Sequence, residues 1–204
     1  FTGYKLSAVA KLSSQLSFTT RYIYQQGESQ ITGYLPQFPK YDALDMEVHS
    51  FGETVDWTPN DQFYMQGNLN VVYNVYATIN GRAGIAPASG SNQAWNVNAM
   101  LKNANNNYVS GSVIAGAVLT KTDDLQVQFN YYKADNYDPE LAPLGMPYGA
   151  SAKDVSVTVG VKHKFTDRMM GDFKLGYVDS DNPTSGGNTN FDGLIDYVAL
   201  NYAL

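Results

Sequence analysis

The chain has no cysteine, no long apolar run and few histidines. Without cysteine, disulfide scaffolds, cysteine nucleophiles and thiolate metal sites are excluded. No stretch approaches the about 20 consecutive apolar residues that a membrane-spanning helix requires. The formal net charge of −6, with no run of basic residues, argues against a nucleic-acid partner.

Catalytic motifs are also scarce. His49 and His163 are the two histidines of the chain, which leaves little material for a histidine-based catalytic pair or metal site. No nucleophile elbow of the form G-x-S-x-G is present, and the scattered glycines form no phosphate-binding loop. We therefore predict that the chain is not an enzyme and needs no cofactor or resident metal.

Long alternating segments are abundant instead. Residues 62–77, "QFYMQGNLNVVYNVYA", place Phe63, Leu69 and Tyr73 on one side and amide side chains on the other, with the two-residue period of a β-strand. The segment is about three times as long as an average strand in a soluble protein. Its pattern indicates a sheet with one apolar and one polar face.

The same alternation recurs along the chain and predicts about nine strands and no helix. The other segments are residues 2–12, 14–24, 42–57, 107–119, 125–132, 154–165, 169–178 and 192–204. In residues 42–57 the apolar positions change phase after Val48. We expect a β-bulge near Ser50 to Gly52 to produce that shift.

Connections between these segments alternate in length. Short polar turns are predicted at residues 11–15, 58–61, 121–124 and 166–168, and long loops rich in Gly, Pro, Asn and Ser at 26–41, 80–106, 136–153 and 180–191. This arrangement is typical of a transmembrane barrel with short periplasmic turns and long external loops. The sequence therefore predicts an all-β, antiparallel, up-and-down transmembrane β-barrel.

Aromatic side chains are expected near the two strand ends. An aromatic ring with a polar tip suits the headgroup region of a bilayer, so two aromatic belts are predicted. The membrane-interface candidates are Tyr22, Tyr24, Trp57, Phe63, Tyr73, Tyr131, Phe165, Tyr177 and Tyr202.

The C-terminal stretch "FDGLIDYVALNYAL" resembles the closing strand of bacterial outer-membrane β-barrel proteins, with Val198, Leu200, Tyr202 and Leu204 alternating outward. It departs from that family in ending with Leu204 where the usual residue is Phe. The resemblance implies a location in the bacterial outer membrane. It also implies contacts with outer-membrane lipid and lipopolysaccharide and recognition by the barrel-assembly machinery.

The strand count leaves two interpretations. Single-chain bacterial barrels have even strand numbers, so about nine strands predict that residues 1–204 form one barrel domain that lacks upstream strands of a larger, even-stranded barrel. Alternatively, a short helix or strand lies inside the longest loop at residues 93–103, "QAWNVNAMLKN".

Charged residues on the polar face are candidates for lining a lumen. They are Lys5, Lys11, Arg21, Asp45, Glu47, His49, Asp154, Lys162, Asp172, Lys174 and Asp196. Either they line a conduction path and tune its ion preference, or they neutralise one another in a plugged interior. Asp135, Asp138, Asp179, Asp181 and Asp192 lie in acidic loops that match no full calcium-loop pattern, which favours solvated loops.

Taken together, these features favour an outer-membrane, porin-like channel for passive diffusion of small hydrophilic solutes or ions. This interpretation predicts that residues 80–106 fold inward as a constriction. An alternative is a non-conducting structural barrel that holds a partner in its lumen or binds through its external loops. A homo-oligomer or larger membrane complex is compatible with both. An outer-membrane enzyme is a third class, for which only His49 is a plausible catalytic histidine.

Overall fold

A computed structural model of the chain describes residues 1–31, 41–78, 104–137, 150–185 and 188–203. Its strands are β1 (Thr2–Lys11), β2 (Leu16–Ile31), β3 (Tyr41–Asn60), β4 (Phe63–Thr78), β5 (Ala104–Asn105), β6 (Tyr108–Val118), β7 (Asp123–Asp135), β8 (Ser151–Thr166), β9 (Met169–Asp181) and β10 (Phe191–Tyr202). A 3-10 turn in the described residues spans Pro183–Ser185. No helix in the described ranges is long and apolar enough to cross a membrane.

The strands form one antiparallel sheet in the order β1-β2-β3-β4-β6-β7-β8-β9-β10, and the two-residue β5 pairs with β4. This is the predicted up-and-down meander, and its nine long strands confirm the predicted fold class. Strands β1 and β10 form the two edges of the sheet. Both run towards the end that carries the short turns. The segment at 93–103 and most of the loop at 80–106 lie outside the described residues.

Short turns are fixed by their own polar side chains. Between β3 and β4, Oδ1 of Asn60 accepts hydrogen bonds from the backbone N–H groups of Gln62 and Phe63, at 2.9 and 3.0 Å. Between β8 and β9, Nζ of Lys164 lies 2.7 Å from Oδ1 of Asp167. The hydrogen bond from Lys164 lowers the pKa of Asp167 below that of an ordinary aspartate.

The two faces of the sheet differ sharply. Strand partners share a face, so the register assigns each side chain to one face. One face, the apolar face, carries Phe51, Leu69, Val127 and Leu175, each 42 to 48% exposed. The opposite face, the polar face, carries mainly Asn, Gln, Ser, Thr and charged residues. Nothing in the described chain covers the apolar face. Large apolar side chains are therefore exposed here, whereas most proteins bury them in a core.

The predicted bulge at Ser50 to Gly52 is wrong. β3 pairs with β2 and β4 in an unbroken register from residue 44 to 57. Asp45, Glu47 and His49 therefore lie on the apolar face rather than on the polar face where the sequence placed them. Met46 and Val48 take the polar side instead.

The reason for this error lies in the surroundings of His49. Its Nδ1 lies 2.7 Å from the hydroxyl of Tyr22, and its ring centroid lies 5.0 Å from that of Tyr24 and 6.3 Å from that of Tyr73. The outward side of this strand end is thus aromatic and polar, as suits an interface. Hydrophobicity no longer distinguishes the two faces there, so the phase cannot be read from it.

The predicted position of Asp196 is also wrong. β10 keeps one phase from Asp192 to Tyr202, so Asp196 shares the apolar face with Leu194 and Val198, and its cross-strand partner is Leu175. The sequence predicted a lumen position for Asp196. A carboxylate is a poor marker of the polar face when the alternation on both sides of it is continuous.

Candidate solute-conducting face

The polar face is built from side chains that meet in rows across the strands. The clearest row crosses six neighbouring strands of the sheet, β2, β3, β4, β6, β7 and β8. It consists of Thr19, Thr54, Asn68, Ser112, Asn130 and Ser156. Because cross-strand partners stand side by side, such a row forms a continuous polar band.

Hydrogen bonds link the side chains of this band. Oγ1 of Thr54 donates to Oδ1 of Asn68 at 3.0 Å, and Nδ2 of Asn68 donates to Oγ of Ser112 at 3.4 Å. Nδ2 of Asn130 donates to Oγ of Ser156 at 3.0 Å. These contacts hold the amides and hydroxyls in place and leave other donors and acceptors open to water or to a solute.

Glycines on the polar face let neighbouring side chains lie flat against the sheet. Tyr64 crosses Gly116, its partner on β6, and its hydroxyl donates to Oδ2 of Asp124 at 2.9 Å. Gln126 Nε2 also contacts that hydroxyl. In the same way, Cγ of Lys174 lies 2.8 Å from where a Cβ of Gly160 would stand. Tyr64 and Lys174 therefore project less far from the sheet than their side-chain lengths would allow.

Seven of the predicted lumen residues lie on the polar face. They are Lys5, Lys11, Arg21, Asp154, Lys162, Asp172 and Lys174. Asp45, Glu47, His49 and Asp196 do not join them, as described above. Their charges form no single cluster, because the basic residues of β1 and β2 are separated from those of β8 and β9 by several strands.

A mixed-charge cluster lies near the short turns. Asp124, Lys162 and Asp172 are direct register partners on β7, β8 and β9. Nζ of Lys174 lies 3.6 Å from Oδ2 of Asp172 and 5.5 Å from the ring centroid of Tyr197. The other carboxylate oxygens of Asp124 and Asp172 are buried without a hydrogen-bond partner among the described residues.

The sequence did not predict Tyr64 and Asp124 as lumen-lining residues, and it placed Gln126 on the polar face without predicting its contacts. Asp124 was assigned to the turn at 121–124, whereas β7 begins at Asp123 and includes it. The available signal was the alternation itself. Asp124, Gln126 and Gln128 share one phase, opposite to Leu125 and Val127.

All nine predicted interface aromatics lie on the apolar face. Register places Tyr22, Tyr24, Tyr73, Tyr131 and Tyr177 with it, and also Trp57, Phe63 and Tyr202. Phe165 follows because its ring contacts Gly171 and meets His163 edge-on with centroids 4.6 Å apart. Their role as membrane-interface residues stays a prediction.

His163 contacts a carboxylate of the neighbouring strand. It lies on the apolar face opposite Asp123, and its Nδ1 is 2.6 Å from Oδ1 of that aspartate. In the described ranges no three histidine or acidic side chains come together as a metal site, and Asp138 of the acidic loops lies outside those ranges. The absence of enzyme activity stays a prediction.

Comparison with known proteins finds likeness at the level of structure. No protein-family model matches the chain, and no curated protein matches it either. The solved structure of the copper transporter OprC superposes with a TM-score of 0.60 at 14% identity, over 99% of this chain and 34% of that one. The likeness therefore concerns the fold alone, and this chain spans about a third of that protein's length.

Weaker likeness extends to other barrels. OmpT, an outer membrane protein of Vibrio cholerae in its trimer form, gives a TM-score of 0.49 at 12% identity, over 98% of this chain and 54% of that one. The toluene transporter TodX of P. putida gives a TM-score of 0.40 at 13% identity, over 100% of this chain and 60% of that one.

This chain has the fold of a bacterial outer-membrane β-barrel protein. The open sheet of nine long strands corresponds to part of such a barrel. The bacterial outer membrane is where this fold resides, and the uncovered apolar face matches a surface in contact with lipid.

Proposed function

We propose that the chain forms part of the wall of an outer-membrane channel through which small hydrophilic solutes or ions diffuse passively. The observation that carries this proposal is the polar face, a laterally hydrogen-bonded surface with exposed ionisable groups, opposite an uncovered apolar face. A barrel with its polar face inward presents that surface to its lumen. Residues 1–204 belong to one barrel domain.

Charges on the polar face favour an aqueous lumen over a dry, self-neutralised one. Arg21, on the interior strand β2, is exposed and is not ion-paired with a described residue. An unpaired charge in a dry interior costs several kcal/mol. Water, or a polar solute passing through it, removes that cost.

The fold shared with a copper transporter gives further support, because a transporter barrel is the setting in which such a wall carries solutes. Outer-membrane lipid and lipopolysaccharide contact the apolar face in this proposal, and the barrel-assembly machinery inserts the chain. A homo-oligomer is compatible with it.

Single-channel recording tests the proposal. The full-length protein is refolded in detergent, checked for folding by a heat-modifiable gel shift, and inserted into a planar bilayer. We expect discrete, long-lived conductance steps that increase with salt concentration. A folded protein that never conducts, and that does not make liposomes permeable to small sugars, would overturn the proposal and favour a structural barrel holding a partner.

A further inference from the structure

Charge is distributed unevenly between the two faces of the sheet. The chain as a whole is acidic, with a net charge of −6. Most acidic residues of the described strands lie on the apolar face, mainly near strand ends: Glu28, Asp45, Glu47, Glu53, Asp123, Asp135, Asp179, Asp181, Asp192 and Asp196. Net charge of the chain therefore says little about what a solute in the lumen would meet.

On the polar face of the described strands the balance is reversed, and bases outnumber acids. Its bases are Lys5, Lys11, Arg21, Lys162, Lys164 and Lys174, and its acids are Asp56, Asp124, Asp154 and Asp172.

The acids of the polar face are engaged by neighbours. Asp56 accepts a hydrogen bond from Gln66 at 2.7 Å, and Asp154 accepts one from Ser180 at 2.6 Å. Asp124 is held by Tyr64 and Asp172 lies beside Lys174, as described above. A carboxylate that already accepts hydrogen bonds or faces an ammonium offers less to a passing cation.

The bases of β1 and β2 are different. Lys5, Lys11 and Arg21, here called the basic trio, lie on the polar face, and their register partners in the described strands are the uncharged Ile23, Ser17, Ser7 and Gly52. No acid on the polar face is a direct cross-strand partner of the trio. Within the described sheet, where β1 is an edge strand, no acid is therefore paired directly with these charges.

We infer that the basic trio gives the proposed channel a preference for small anions, an inference that rests on the proposed function. Ionisable rings and patches on a pore wall set its ion preference. Charge of one sign in a cleft with low-dielectric walls concentrates counter-ions, and the arginine guanidinium adds a two-pronged donor for carboxylate and phosphate groups. The trio selects solutes by charge and takes no part in any reaction.

The test measures the reversal potential of the full-length protein in a bilayer with a tenfold KCl gradient. We expect the wild-type reversal potential to have the sign of the chloride equilibrium potential, which indicates a preference for chloride over potassium. The variant Lys5→Gln/Lys11→Gln/Arg21→Gln should move it towards the potassium side, and the difference should shrink at high salt as screening increases.

Matched controls exist on the other face. Lys133 and Lys153 are exposed lysines that face each other across β7 and β8 on the apolar face. The variant Lys133→Gln/Lys153→Gln removes two positive charges without touching the polar face, and we expect its reversal potential to equal that of the wild type. A shift per removed charge as large as that of the triple variant would overturn the inference, because selectivity would then depend only on the overall charge of the chain.

A thiol variant covers the case in which the triple variant folds poorly. The chain has no cysteine, so Ser7→Cys, beside Arg21 in the register, introduces a unique thiol. In folded, inserted channels, a negatively charged methanethiosulfonate reagent should reduce chloride preference and a positively charged one should increase it. Two results would overturn the inference: conducting channels that respond identically to both reagents, or a triple variant whose reversal potential equals that of the wild type. Absence of conductance in the wild type would instead overturn the proposed function.

Discussion

The contact between Tyr64 and Gly116 allows a sharp prediction about the polar face. The ring of Tyr64 occupies the space that a Cβ at position 116 would need. The variant Gly116→Ala must therefore displace Tyr64 and break its 2.9 Å hydrogen bond to Asp124. We expect this variant to be less stable than the wild type, although replacing a strand glycine by alanine normally stabilises.

The magnitude follows from two opposing terms. Loss of a hydrogen bond to a charged group costs about 1.5 to 3 kcal/mol, and partial exposure of Tyr64 favours the lower end. Alanine recovers about 0.5 to 1 kcal/mol relative to glycine in a strand. Gly67 on β4 is the matched control, since nothing lies within 4 Å of its would-be Cβ. Because the glycine term cancels, Gly116→Ala should be about 1.5 to 2 kcal/mol less stable than Gly67→Ala.

The assay is reversible urea unfolding of the refolded protein in lipid vesicles, followed by tryptophan fluorescence. In a Tyr64→Ala background the obstacle is gone, so Gly116→Ala should become as favourable as Gly67→Ala. Equal stabilities of the two single variants would refute the packing argument. A penalty that persists in the Tyr64→Ala background would refute the role of Tyr64.

Three further outcomes are expected. Thr20→Val removes the 2.6 Å hydrogen bond to Glu53 within the apolar face and should cost about 1.5 to 3 kcal/mol in urea unfolding, with Thr20→Ser close to wild type. Trp57, in a Trp95→Phe background, should be quenched by brominated lipid tails because it lies on the apolar face; no quenching would contradict that assignment. The lowered pKa of Asp167 means that stability from its pair with Lys164 exists above the ordinary aspartate pKa and is lost as pH falls through the lowered value. Any deficit of Asp167→Asn in urea unfolding should therefore vanish in strong acid; a deficit that persists there would contradict this.

The strands were predictable because one face of each is apolar over most of its length. In β8, Val155, Val157, Val159 and Val161 alternate with polar residues, and the observed strand covers that whole segment. Turn positions followed from polar residues such as Asn60 and Asp167, whose side chains fix the turns. Local chemistry was sufficient where it agreed with the alternation.

The phase of β3 was not predictable in the same way. Its long-loop end carries apolar Met46 and Val48 on the polar face and polar Glu47 and His49 on the apolar face. There the outward side chains meet neighbouring tyrosines, so polarity reports the surroundings of a strand end and not the direction of the lumen. Only the register with β2 and β4 resolves the phase.

The polar face was predictable as a class of surface and not as a set of contacts. Alternation indicated Lys162 and Asp172 individually, but their relation to Asp124 depends on which residues are cross-strand partners. Register between strands is set by the whole sheet, and a shift of one residue would move every side chain to the other face. The pairing of Tyr64 with Gly116 is equally a property of the register.

The aromatic residues of β4 have a consequence for the membrane itself. Phe63 and Tyr73 lie on the same face, ten residues apart, which corresponds to about 33 Å along a strand. A strand tilted by about 40° in a barrel projects that length onto about 25 Å of bilayer, the height of the apolar band in outer-membrane barrels. The prediction that these two residues lie at opposite membrane interfaces implies that a bilayer with a thicker hydrocarbon core thins around this chain or leaves one aromatic belt below the headgroups. Hydrophobic mismatch would then govern which lipids surround the chain.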